Sequence, residues 1–260
     1  MSIWLISIIT VWTYVSIAYV VSRILKRNDL MDILWGPGFA IIAFVCILSL
    51  SYFNPSKLNL LFLISIWALR LCAHIFIKNA GKPEDFRYQN WRKSWGKTEW
   101  WRSYLQIYLL QGFFMFLIAL PIIAFMDADD FTLKAQVWSS PFPYYTEWLG
   151  IIVAVIGLLF ESIADYQKSR FKKINPHGLM KSGLWKYSRH PNYFGEALFW
   201  WGIAIFSWSE VSFIYGLTSA AVITVLLRFV SGVPMLEKAK EGNEAYEAYK
   251  KETPVFVPFI

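Results

Sequence analysis

Apolar residues along this chain come in blocks rather than in one-sided stripes. The blocks are about 20 residues long, the length that crosses a bilayer as helix, and short stretches rich in lysine, arginine, aspartate and glutamate separate them. Seven are legible, at about 2–22, 32–52, 58–77, 104–126, 147–166, 194–209 and 211–230. Hydrocarbon offers a backbone no water to bond with, so each block must satisfy its own amides as a helix. The pattern predicts an all-α integral membrane protein of seven transmembrane helices. The sixth and seventh blocks are short and separated by little more than Ser209-Glu210, which makes them a tight helical hairpin. No repeat, low-complexity tract or flexible linker interrupts the series, so residues 1–260 read as a single domain.

Composition agrees with the pattern. In 260 residues, 57% are hydrophobic and 19% aromatic, far more than a soluble domain of this size carries. The first block lacks a preceding basic region and a small-residue cleavage site, so it reads as a retained span. Cys46 and Cys72 both fall inside apolar blocks and read as packing residues. A net charge of +7 does not imply nucleic acid, because the basic residues sit in short loops between spans. Of the 25 lysines and arginines, 22 fall on one side of the seven-span arrangement; Lys57 and Lys134 lie opposite and Arg70 is inside a span. The bias places the N-terminus outside and the C-terminus in the cytoplasm. The short acidic outer loop from Asp127 to Glu147 is expected to cap the bundle.

The stretch Gly183-Leu184-Trp185-Lys186-Tyr187-Ser188-Arg189-His190-Pro191-Asn192-Tyr193-Phe194-Gly195-Glu196 gathers cations, an imidazole, an amide, phenols and a carboxylate where a loop becomes a helix. Pro191 favours an extended His190, so the helix is expected to start around Asn192. Its unpaired first amides favour an anion, with Arg189 and His190 beside them. The alternative is a basic membrane-edge loop with Asn192 as a cap. Ionisable groups inside spans are costly and point to function: Asp32, Arg70 with His74 four residues on, and Glu161 with Asp165 four residues on. The alternative for Asp32 and Arg70 is a structural ion pair, with His74 merely packed. No Gly-x-Gly-x-x-Gly or Walker sequence is present, and no Cys/His cluster has metal-ligand spacing. In the tail, residues 237–241 and 244–251 favour helix as a solvated amphipathic face, and Pro254-Val255-Phe256-Val257-Pro258-Phe259 is expected to dock on the bundle.

The residues 183–196 resemble the signature of the bacterial steroid 5-alpha-reductase-like membrane proteins, similar to the C-terminal domain of the steroid 5-alpha-reductases. More distantly they resemble the isoprenylcysteine carboxyl methyltransferases, which share the Arg-His-Pro-x-Tyr-x-Gly core. The resemblance is strong from about Glu161 to Ile260. It implies a bacterial inner-membrane protein in which Asp165, Asn192 and Arg228 contact NADPH, Asn192 at the nicotinamide, with Glu196 the acid one turn later. Upstream, Trp67-Ala68-Leu69-Arg70 resembles the family's Tyr-x-x-Arg and Asn79-Ala80-Gly81-Lys82-Pro83 its Asn-x-Gly-Arg-Pro. Asp32 falls near the family's Gln-Glu pair. This chain departs from the pattern at Met31, Trp67, Gly232 and Leu236.

Together these readings predict an NADPH-dependent oxidoreductase that reduces the double bond of a 3-oxo-4-ene steroid or similar lipid enone. Asp32, Glu196, Tyr193 and Trp67 are the catalytic candidates. Arg70, Lys82, Glu161, Asp165, Arg170, Lys172, Arg189, His190, Asn192 and Arg228 are the cofactor-binding candidates. The partners expected are the lipid substrate and membrane lipids, without nucleic acid or an obligate protein partner. An S-adenosylmethionine-dependent methyltransferase and a non-catalytic sterol- or lipid-binding protein are the alternatives.

Overall fold

The computed structural model describes residues 1–50, 55–128 and 142–259. Two compact units, Met1–Ser139 and Ser140–Ile260, divide the chain. Every regular element among the described residues is helical. Among the described residues, five helices are long and apolar enough to cross a membrane, and a bent pair makes a sixth candidate. The acidic loop expected to cap the bundle, with Lys134, lies mostly outside the described residues.

In the first unit, α1 (Ile3–Leu25) begins where the Ser2 hydroxyl accepts from the Leu5 amide and ends at Lys26 in the left-handed conformation. α2 (Leu30–Leu48) and α3 (Pro55–Asn79) follow. Gly36 lets these two backbones touch, since a methyl group there would lie 2.9 Å from the Ala68 carbonyl oxygen. The fourth expected span differs from its prediction. α4 (Phe86–Trp95) and α5 (Glu99–Ser103) precede a π-helical turn, Tyr104–Leu109, and α6 (Leu110–Ile118). The path then bends by 52° into α7 (Leu120–Asp127). Pro121 explains the bend: it has no amide hydrogen and cannot continue the ladder of α6.

The second unit opens with α8 (Phe142–Ile174), 33 residues, or about 50 Å of helix. That exceeds the hydrocarbon thickness of about 30 Å. The basic residues Lys168, Arg170, Lys172 and Lys173 therefore continue the helix, where the sequence pattern had suggested a loop beyond residue 166. A short 3-10 turn, Gly183–Lys186, leads to α9 (Pro191–Ser207). α9 has 17 residues and is buried along most of its length. Its length falls short of the five qualifying helices, so the predicted sixth span is not among them. α10 (Phe213–Val225) runs through a π-helical turn, Leu226–Val230, into α11 (Val233–Lys238), and α12 (Glu244–Glu252) follows. α8 and α9 meet backbone to backbone. A methyl group on Gly195 would lie 2.5 Å from the Glu161 nitrogen, and one on Gly157 would lie 2.7 Å from the Gly195 carbonyl oxygen.

Candidate functional site

In the second unit, the loop before α9 is tied to the end of α8 by its own motif residues. Trp185 is buried and donates its indole hydrogen to the Ala164 carbonyl at 3.0 Å, and the Leu184 amide donates to Gln167 Oε1 at 3.0 Å. The Lys168 ammonium lies 4.4 Å from the centre of the Trp185 ring. Gly183, at φ +62, makes the turn that permits this approach. The chain then enters α9 one residue earlier than expected. His190 is the N-cap, with no capping bond from its side chain, and Pro191 fills the first turn, where a missing amide hydrogen costs nothing. Asn192 is thus inside the helix and is not its cap. Its Oδ1 is buried and has no hydrogen-bond partner among the described residues. Burying such an atom without compensation is unfavourable, so it marks a place where a donor is wanted.

Around this helix start, Glu161 on α8 is 2% exposed, and Asp165 on α8 and Glu196 on α9 are each 6% exposed. The close approach of Gly195 to the Glu161 backbone seats these acids at the seam between the two helices. The His190 ring is buried and lies parallel to the Tyr193 ring, at an interplanar angle of 4°. Its Nε2 is 3.2 Å from Glu237 Oε1. Burial pushes the imidazole below its usual pKa, and the neighbouring carboxylate only partly offsets this.

The expected cations serve varied partners. Arg189 is anchored within the protein: Nε and Nη2 donate to Glu237, and Nη1 donates to the Lys250 and Thr253 carbonyls. Lys172 donates to the Pro176 and Gly178 carbonyls and closes the turn after α8. Arg170 is exposed, with Nη1 3.5 Å from the Tyr166 hydroxyl. Arg228 sits in the π-helical turn, its guanidinium 4.8 Å from the centre of the Phe229 ring. Lys240 lies 4.3 Å from the centre of the Tyr246 ring, and burial pushes its pKa down. The tail docks as expected: the Arg189 amide donates to Pro254 O, Ser188 Oγ donates to Phe256 O, and the buried Phe256 packs edge-on to Phe194.

In the first unit, Asp32 stands in the first turn of α2. It accepts from Arg87 Nη2 at 2.8 Å and from the Tyr88 hydroxyl at 2.6 Å. Arg87 also bonds Asp85, whose pKa falls because these hydrogen bonds outweigh the effect of its burial. A second layer surrounds this group. Asp29 accepts from Arg27 and from the Asp85 amide, while Arg92 bridges Glu84 and Glu99. Trp67 is fully buried and packs edge-on to Phe39, so no part of its ring is open to solvent. Lys82 donates to the Lys78 carbonyl, and its own carbonyl accepts from Arg27. Arg70 is half-buried on α3. Tyr88, Arg87 and Glu237 were not found by reading the sequence. All three lie in charged stretches that look like solvated surface, and their partners are 56, 55 and 47 residues away.

Comparison with known proteins gives this architecture a family. The profile described as "Protein of unknown function (DUF1295)" matches residues 18–253. The chain is 28% identical over 155 residues to 3-oxo-5-alpha-steroid 4-dehydrogenase 1 of Bos taurus, covering 54% of this chain and 57% of the relative. It is 31% identical over 113 residues to steroid 5-alpha-reductase DET2 of Gossypium hirsutum, covering 43% and 41%. It is 29% identical over 122 residues to the protein-S-isoprenylcysteine O-methyltransferase of Saccharomyces cerevisiae, covering 43% and 48%. The chain thus spans about half the length of the curated relatives it matches. No solved structure matches it. The chain belongs to the DUF1295 family.

Proposed function

We propose that this DUF1295 member is a membrane-embedded, NADPH-dependent reductase acting on the conjugated double bond of a 3-oxo-4-ene steroid or a similar lipid enone, with residues 1–260 forming one transmembrane reductase domain. Two kinds of relative named as steroid reductases, from cattle and cotton, support the reaction class. The observation that carries the reading is Asn192, whose amide oxygen is buried without a partner among the described residues, beside a helix start, a histidine and three buried acids. A nicotinamide carboxamide offers the donor this atom lacks. Bound there, the nicotinamide would supply hydride to the β-carbon of the enone. Asn192 would orient it, and Asp165 or Glu161 would accept from ribose or adenine donors. In the second unit, Arg170, Lys172 and Arg228, with His190, would hold phosphates and ribose, while Arg189 orders the loop through Glu237; Arg70 and Lys82 are the candidates in the first unit. In the first unit, Asp32 and its new partner Tyr88 are the candidates for bonding the substrate oxygen and moving a proton; Glu196 and Tyr193 are the candidates in the second. The carboxylate, phenol and guanidinium together can keep one proton shared at a fixed position.

The yeast relative favours a second reading, methyl transfer from S-adenosylmethionine. Retention of NADPH or of S-adenosylmethionine by the protein purified in detergent separates the two. NADPH retained, and oxidised in a single turnover by a 3-oxo-4-ene steroid, is the expected result. Retention of S-adenosylmethionine alone would replace the reductase by the methyltransferase.

A further inference from the structure

Glu237 belongs to the tail, yet the chain is built to return it to the start of α9. The helical path of α10 loosens into the π-helical turn Leu226–Val230 and breaks at Gly232. There the Ser231 amide still reaches the Leu226 carbonyl at 2.8 Å. A methyl group on Gly232 would lie 2.9 Å from the Leu227 Cα, so only glycine fits this break. α11 then starts in a new direction and carries Glu237 to Arg189 and His190. Nothing in a reading of the tail as a solvated amphipathic helix asks for this contact.

We propose that Glu237 is a positioning residue that holds the His190 ring as its Nε2–H tautomer and so leaves Nδ1 as the accepting nitrogen at the start of α9. Arg189 Nε donates to Glu237 Oε1 at 2.9 Å and Nη2 donates to Oε2 at 3.4 Å, so the carboxylate is ionised and can only accept. The ring nitrogen 3.2 Å from Oε1 must therefore carry the hydrogen. The ring plane is fixed by the parallel Tyr193 ring. The backbone is fixed by the His190 amide, which donates to Ser188 Oγ at 3.1 Å while that hydroxyl donates to Phe256 O at 2.7 Å. The charged and titratable groups that face the ring are Glu237, Arg189, Lys168, Lys240 and Tyr193. Burial and the two lysines oppose a second ring proton, so the neutral form is the one present near neutral pH. An Nδ1 acceptor suits a ligand hydroxyl or amide donor. That last step rests on the cofactor reading above; the tautomer does not.

The test is nitrogen NMR of histidine-labelled protein in detergent, without added cofactor, the three histidines being assigned by substitution. The expected His190 spectrum near neutral pH shows a protonated Nε2 and an unprotonated Nδ1. Glu237→Ala should move both signals towards a mixture of tautomers, while Arg189→Gln, which keeps the acceptor, should leave Nε2 protonated. A wild-type spectrum showing the Nδ1–H form would overturn the proposal, even if every variant failed to fold. An unchanged tautomer in Glu237→Ala would also overturn it. NADPH is then added to the wild type. A shift of the Nδ1 signal supports the cofactor contact. No shift, with the Nε2–H form intact, removes the cofactor reading for His190 and leaves the role of Glu237 standing.

Discussion

At the scale of single residues, Asn192 and Tyr88 carry the sharpest expectations. Asn192 is the second residue of α9, not its cap, so its amide owes nothing to helix initiation. Asn192→Asp keeps the shape and adds a charge that a helix N-terminus tolerates, so the fold should hold within about 1 kcal/mol. Single-turnover oxidation of NADPH should nonetheless fall by at least about tenfold, because a misoriented reactant loses rate even when anchored elsewhere. Full turnover in Asn192→Asp would remove the nicotinamide role. For Tyr88→Phe, losing a hydrogen bond to an ionised group costs about 1.5–3 kcal/mol of stability whatever its function. A purely structural Tyr88 predicts a lower melting temperature with unchanged turnover per folded molecule; the proposed role predicts that turnover falls as well. His190 adds a pH dependence. Its folded pKa lies below the usual imidazole value, so in that window the unfolded chain binds the proton and the folded protein does not. Its contribution to stability is complete above about pH 6.5 and declines as pH falls towards the lowered value. The slope of melting temperature between about pH 7.5 and about pH 5.5 should therefore be shallower in His190→Gln than in wild type.

At the scale of elements, the seam between α8 and α9 decides where the acids stand. Gly157, Gly195 and Gly202 bring the two backbones together, and a methyl group on Gly202 would lie 2.6 Å from the Ala154 Cα. Gly195→Ala would press on the backbone of Glu161, where no side chain can swing aside. Overpacking of this kind costs about 1–3 kcal/mol. The melting temperature should drop, and cofactor retention should drop with it, because Glu161 and Glu196 move with the seam. A Gly195→Ala protein as stable as wild type would mean that the helices separate freely there. Much at this scale was legible in advance. The long apolar blocks became helices, the loop at 183–190 joined a helix beginning at Pro191, and the tail returned to it through Phe256. The rest was hidden for physical reasons. Whether Lys168–Lys173 is loop or helix does not follow from hydropathy, since charged residues extend a helix into water without penalty. Pairs such as Asp32–Tyr88 and His190–Glu237 depend on tertiary approach between distant segments, and no local periodicity encodes it.

At the scale of the whole molecule, the number of crossings sets where the two ends of the chain lie. Among the described residues, five helices meet the length and polarity expected of a span, and the bent pair α4–α7 makes one more. The proposed seven-span arrangement needs α9 to cross too, although its 17 residues give about 25 Å of helix. α9 is so thoroughly buried that it meets protein rather than lipid along most of its length. A helix shielded in this way does not need to match the hydrocarbon thickness by itself. Parity then makes the arrangement testable. An odd number of crossings puts the termini on opposite sides, and an even number puts them on the same side. The 22 basic residues that the seven-span order collects on one face include those of the C-terminal tail, so the charge bias predicts that this face is cytoplasmic. Paired reporters fused to each terminus in a bacterial host should show an external N-terminus and a cytoplasmic C-terminus. Two termini on one side would mean an even number of crossings and would rule out the seven-span order. The charge bias would then have to be explained without a seventh crossing.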